Sequence, residues 1–282
     1  MSHYASQYRV EPGKALHLSK IDADFKPKNL DKAQGNEQLR NHIRKMSGLQ
    51  NMLYAEGKRS LLVVFQGLDA SGKDGTIRKV FSGINPAGCR VTSFKQPTPE
   101  ELEHDFLWRC HRYAPRKGMI AVFNRSHYED VLIVRVHNLA PKRIWSQRFE
   151  MINNFEQMLA VDNNTTILKF YLHISKDEQL RRFGKRLDNP AKNWKISDAD
   201  YKERAFWDEY VEAFEDMMPR TSTEHAPWYV IPANHKWYRN LVISQIIADA
   251  LDGMDMRMPA PTVDMGQIRR EYHQAKMDGG KS

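Results

Sequence analysis

Leu61-Leu62-Val63-Val64-Phe65-Gln66-Gly67-Leu68-Asp69-Ala70-Ser71-Gly72-Lys73-Asp74-Gly75-Thr76 is the stretch that decides the fold. Its first five side chains are apolar without interruption and stop at a glycine turn, which is how a strand covered on both faces of a parallel sheet reads. The residues from Gly67 match G-x-x-x-x-G-K and open a helix from Thr76 to Phe81. The spacing has a mechanical reason. Glycine lets the backbone curl so that successive N–H groups point inward at phosphate oxygens, and the helix amino terminus adds partial positive charge. Lys73 then reaches the terminal phosphates as a point charge. A strand before and a helix after separate such a loop from a glycine turn that binds nothing. Gly67, Ala70, Ser71, Gly72, Lys73, Asp74, Gly75 and Thr76 are therefore the expected phosphate-binding positions.

One residue departs from the usual pattern. The Ser or Thr that normally follows the lysine and touches magnesium is Asp74, and Asp69 puts a second carboxylate inside the loop. A carboxylate beside bound phosphate is costly unless a cation intervenes. The pair therefore points to divalent metal held by carboxylates rather than by a hydroxyl.

Downstream, the same kind of apolar run recurs at 119–123, 166–172 and 228–231, and Val91-Thr92-Ser93-Phe94 reads as a further strand. Helical periodicity occupies the intervals, as at 142–160 and 198–218. Strands alternating with helices give βαβ units, so the fold class is α/β: a parallel sheet flanked by helices, with ligands at the carboxyl ends of the strands. Leu39, Ile43, Met46 and Leu53 define an amphipathic helix ending near Gly57. Residues 1–36 are expected as an extension draped over the domain or onto a partner subunit, 37–258 as the catalytic domain, and 259–282 as a tail.

The strand at 119–123 runs into Asn124-Arg125-Ser126-His127-Tyr128-Glu129-Asp130. This strand end commonly carries a magnesium-binding acid in phosphate-loop proteins; here an amide, Asn124, stands first, and Glu129 and Asp130 follow a turn later. Asp69 and Glu129 are the expected metal ligands. Arg125 is placed to contact a phosphoryl group in transit, where a planar guanidinium neutralises spreading charge. His127 reads as a hydrogen-bonded structural histidine.

Together with Gly67-x-Asp69-Ala70-x-Gly72-Lys73-Asp74-Gly75 and Trp194-Lys195-Ile196-Ser197, this segment resembles the signatures of the polyphosphate kinase 2 family, over roughly residues 10 to 255. The acid-bearing loop separates that family from thymidylate kinases, which share its fold. The resemblance implies a P-loop kinase fold with a helical lid and reversible phosphoryl transfer between inorganic polyphosphate and nucleotides, using Mg2+ or Mn2+. It also implies a homodimer or homotetramer. Asn124 with Glu129 is similar to the class III branch, whose members accept nucleoside mono- and diphosphates; adenine nucleotides are the expected partners, with guanine nucleotides as a further class.

Ser175-Lys176-Asp177-Glu178 fits a capping box and starts a helix bearing Arg181, Arg182, Lys185 and Arg186. Like charges one turn apart repel, so the helix is poised for a counter-anion. In the resembled family this region, about 175–197 here, is the lid, which closes over phosphates and excludes water. Arg182 and Arg186 join Asp69, Lys73 and Arg125 as expected catalytic residues. Arg181 and Lys185, with Arg112, Arg116 and Lys117, are expected to track the polyphosphate chain. Lys95, Asn124, Glu129 and Asp130 are the expected nucleotide contacts, and Lys236 follows the last strand as another. Phe183 and Trp194 read as packing anchors, and Tyr201, Phe206, Tyr210 and Phe214 as core.

Composition narrows the alternatives. The net charge of +8 over 282 residues gives a surface that attracts polyanions. No zinc, helix-turn-helix or RNA-binding signature accompanies it, so a basic nucleic-acid-binding module is the weaker reading. An ATP-dependent nucleoside monophosphate kinase is the rival within the fold, with Asp74 and the basic helix against it. No apolar run reaches the ~18 residues of a membrane span, and Met1-Ser2-His3-Tyr4-Ala5 lacks a secretory pattern. Two cysteines, Cys89 and Cys110, make no disulfide framework, and a cytoplasmic location is expected.

Overall fold

Five strands form one sheet in a computed structural model that describes residues 3–195 and 197–279. They are β1 (Ser60–Gln66), β2 (Cys89–Ser93), β3 (Ile120–Asn124), β4 (Thr165–His173) and β5 (Trp228–Pro232), ordered β2-β3-β1-β4-β5 with every pairing parallel. β1 is buried along its whole length, as its unbroken apolar run requires. Its register sets Phe65 beside Asn124 of β3 and Phe170 of β4, so the carboxyl ends of three strands lie together under the loop that follows β1. β2 is the half-exposed edge.

The helices are α1 (His3–Tyr8), α2 (Lys32–Glu56), α3 (Lys73–Val80), α4 (Lys142–Val161), α5 (Lys176–Leu187), α6 (Asp198–Ala205), α7 (Trp207–Thr221), α8 (Lys236–Asp252) and α9 (Met265–Gly279), with short turns between. α2, α3 and α8 cover one face of the sheet through Met46, Leu53, Ile77, Leu241 and Ile247. α4 and α7 cover the other through Phe149, Ile152, Phe214 and Met217. Burial of both faces is what keeps an all-parallel sheet stable.

Several boundaries differ from expectation. α2 starts at Lys32, where Asp31 and Gln34 form a reciprocal capping box, so a domain edge at 36 falls inside a helix. It ends at Gly57, whose φ of 63° suits a left-handed cap. The amino-terminal segment is draped over its own domain. Val10 N–H donates to Trp228 O (2.9 Å), Tyr8 and Tyr238 share a hydroxyl hydrogen bond (2.6 Å), and Leu18 is buried. The helical stretch at 198–218 breaks at Phe206 into α6 and α7. Among the described residues no helix is long and apolar enough to cross a membrane.

Candidate active site

The loop after β1 adopts backbone shapes that few residues tolerate. Gly67 has φ 148°, and a Cβ there would sit 2.9 Å from Ser71 Oγ. Gly72 has φ 100°, and a Cβ there would sit 2.3 Å from Arg239 Nη1. Ala70 holds φ 60° without being glycine, a strain that surrounding contacts must enforce. Gly72 O accepts from both Thr76 N–H (2.9 Å) and Thr76 Oγ1 (3.1 Å), which starts α3 at Lys73 and leaves its first amides facing outward. The Thr76 hydroxyl, expected at phosphate, is thus turned back onto the loop. Ser71 Oγ is buried with no partner among the described residues. Lys73 lies across the loop, Nζ donating to Gly67 O (2.5 Å). Burial, and then the nearby Arg125 charge, push its ammonium down to about 8.

Behind the loop stands α5, the first half of the expected lid. Arg182 spends all five N–H donors: Nε on Glu178, Nη1 on Ala70 O and Ser71 O (both 2.8 Å), and Nη2 on Ala233 O (2.5 Å) and Asn234 O (3.1 Å). With all five donors spent on Glu178 and on four backbone carbonyls, Arg182 holds the loop in this structure and presents no spare donor to the phosphate side. Gln179 adds a donor to Asp69 O (2.9 Å). Ser175 caps the helix by accepting from Glu178 N–H, but the return half of the box is lost because the Glu178 carboxylate is taken by Arg181 and Arg182. Arg186 pairs with Asp200 at 3.6 Å. Phe183 is buried as expected, whereas Trp194, in the 3-10 stretch Pro190–Lys195, is 78% exposed. Ile196 of the Trp194–Ser197 signature lies outside the described residues.

Opposite the loop, β3 ends in a second strained turn. Arg125 takes φ 61° and reaches back, Nη2 to Asp69 Oδ1 at 2.8 Å and Nη1 to Glu129 Oε2 at 3.8 Å, bridging the two expected metal ligands. Asn124 donates to Asp74 Oδ1 (2.7 Å) and Ser93 Oγ (3.3 Å), tying β3 to α3 and β2. Beneath the turn, His127 and Tyr128 are buried on Glu156 (3.2 and 2.8 Å), whose other oxygen holds Lys169 at 2.5 Å. His127 is structural, as its sequence context suggests.

Asp69, Arg125 and Glu129 open onto a cavity of about 340 Å³ that is also lined by Trp207, Tyr210 and Phe214 of α7, by Leu132 and Ile133, and by Asp200, Glu203 and Arg204 of α6. Aromatic side chains beside convergent charged groups in one cavity suit a nucleoside with its phosphates. A family model described as polyphosphate kinase 2 matches residues 29–259. The chain belongs to the polyphosphate kinase 2 family. It is 51% identical to the AMP/ADP-polyphosphate phosphotransferase of Meiothermus ruber, over 90% of this chain and 96% of that one. It is 46% identical to the ADP-polyphosphate phosphotransferase of Rhodopseudomonas palustris, over 91% and 92%. The polyphosphate kinase 2 structure from Arthrobacter aurescens TC1 superposes with a TM-score of 0.92 at 41% identity, covering 97% of each chain.

Within this polyphosphate kinase 2 fold, other expected residues fall away from the cavity. Arg116 and Lys117 precede β3, just before Gly118, whose N–H donates to Arg59 O (2.7 Å) at the amino edge of the sheet. A five-residue strand, about 16 Å long, separates them from the loop. Arg112 stacks on Trp108. Asp130 turns to Arg148 Nη1 (3.2 Å), where burial raises its carboxyl to about 6. Lys95 is exposed just past β2, and Lys185 and Arg181 are exposed on α5. Tyr201 is exposed rather than core, and the break at Phe206 re-aims Tyr210 into the cavity. Tyr210 reads in the sequence only as one of a helix-spaced series of aromatics, a pattern that core packing produces equally well, and Trp207 stands outside that series. Asp69 and Glu129, two carboxylates facing one cavity, have the oxygen chemistry that a hard divalent cation would need. Among the described residues no group of three or more His, Cys, Asp or Glu is placed to hold a metal alone.

Proposed function

We propose that the chain transfers phosphoryl groups reversibly between inorganic polyphosphate and adenine nucleotides, AMP to ADP and ADP to ATP, with guanine nucleotides as a further acceptor class. The observation that carries this reading is the cavity where the phosphate loop meets Asp69, Arg125 and Glu129 against the α7 aromatic wall. The names of the M. ruber and R. palustris relatives support the substrate pair. The loop amides and Lys73 hold the donor phosphates, and the nucleotide lies between the α7 wall and Arg125. Its attacking phosphate oxygen is already ionised near neutral pH, so positioning and charge neutralisation are the main demands. Asp69 orients that oxygen, and Arg125 shields the equatorial oxygens as charge spreads over them.

Asp69 and Glu129 would hold Mg2+ or Mn2+, which supplies charge neutralisation between the phosphates when bound. Anion binding restores the positive charge on Lys73 that burial disfavours. The proposal extends to a cytoplasmic enzyme acting as a homodimer or homotetramer, measurable by sedimentation. The decisive assay incubates pure protein with polyphosphate, Mg2+ and either AMP or ADP, and reads ATP. Phosphorylation of AMP by ATP, with polyphosphate unable to replace it, refutes the reading in favour of a nucleoside monophosphate kinase.

A further inference from the structure

Two guanidinium groups stand behind the phosphate loop, and they are not equivalent. Arg182 has a carboxylate, Glu178, at 2.7 Å. Arg239, on the first turn of α8, is 1% exposed and makes no ion pair among the described residues. Its Nε and Nη2 donate to Asn240 Oδ1 (3.2 and 3.0 Å) and its Nη1 to Ser71 O (3.0 Å). Burial, then the neighbouring Arg182, push it down to about 9, and no acid offsets either effect. Lys236, one turn away, is lowered by burial and then by the same two arginines.

The geometry gives this charge a direction. In a trans peptide the C=O and the following N–H point opposite ways. Ser71 O is gripped from behind by Arg182 and Arg239, so the Gly72 N–H faces the phosphate side. A Cβ on Gly72 would meet Arg239 Nη1 at 2.3 Å and Arg182 Nη1 at 3.5 Å, so a single layer of backbone separates these cations from the phosphate site. A buried cation without a counter-ion is costly, and the backbone dipole between it and the site cannot neutralise it.

We infer that Arg239 is a positioning residue whose counter-ion is the bound phosphate chain itself, so that its charge disfavours the empty loop and favours the occupied one. The inference rests on the phosphate-binding reading of the loop and adds to it a coupling between folding stability and anion occupancy. Arg239 touches no substrate; it acts through the Ser71–Gly72 peptide.

The test measures thermal unfolding of the full chain with and without tripolyphosphate, at matched ionic strength, for the parent, Arg239→Gln and Arg239→Lys. Arg239→Gln removes the charge yet keeps a donor for Ser71 O; Arg239→Lys keeps the charge. Arg239→Gln is expected to melt a few degrees above the parent without ligand and to gain at most half of the parent's tripolyphosphate shift. Its KM for polyphosphate should rise about tenfold, the equivalent of one charge-assisted contact, with kcat changed less than about threefold. Arg239→Lys is expected to keep the ligand shift. A merely structural arginine predicts the reverse order: a lower melting temperature in both variants, with the shift intact. Either that pattern or equal loss of the shift in both variants overturns the inference and leaves the functional reading standing. No tripolyphosphate shift in the parent overturns both.

Discussion

Replacing Arg182 with methionine separates a residue that touches the phosphoryl group from one that holds the loop. The guanidinium makes five hydrogen bonds, four of them to the carbonyls of Ala70, Ser71, Ala233 and Asn234. Removing one partner of a buried ion pair costs roughly 3–5 kcal/mol. Glu178 keeps its two bonds from Arg181 (2.5 and 2.6 Å), which limits the loss, while the released carbonyls add to it, so about 4 kcal/mol is expected. For a domain of this size each kcal/mol moves the midpoint by roughly 2–4 °C, so unfolding should shift downward by about 8–16 °C. The freed Ser71 peptide would also let the loop amides drift, and a misplacement of that kind costs on the order of 10² in kcat. Differential scanning calorimetry and steady-state kinetics on the same preparation read both effects. An unchanged midpoint with a large loss of kcat would refute the positioning role and restore direct contact with the phosphoryl group.

Other substitutions probe the site from different directions. Lys73→Ala and Asp69→Ala should each lower transfer by at least about 10²–10³ while leaving a folded protein, as circular dichroism can verify; substantial activity in either refutes the assignment. Arg116→Ala combined with Lys117→Ala should leave KM for polyphosphate within about twofold, because both residues lie at the far edge of the sheet. Lys73 also predicts a pH effect. Its folded pKa of about 8 lies below the unfolded ~10.4, so between these values the unfolded chain binds more protons. Stability without ligand should therefore rise with pH from about 8 to 10 relative to Lys73→Met, by up to about 3 kcal/mol, in denaturant titrations. A difference flat in pH would contradict the burial of a charged Lys73.

What the sequence determined by itself is the part governed by local pattern. The unbroken run at 61–65 could satisfy its side chains only in a sheet covered on both faces, and the glycine spacing after it only as a curled loop opening a helix. The strand at 119–123 likewise announced where Arg125 and Glu129 begin, and in the structure Arg125 reaches both Asp69 and Glu129. Tertiary structure decided the rest, because charge and spacing do not encode direction. Arg182 and Arg116 look alike as residues of basic segments, yet one is threaded through four loop carbonyls and the other lies a strand's length from the site. Tyr210 has the periodicity of a core residue and acquires a cavity only because α7 begins anew at Phe206. Arg239 carried no signal at all. Which cation is buried, and against which backbone, follows from how α8 packs beneath Gly72, a contact between residues 167 positions apart in the chain.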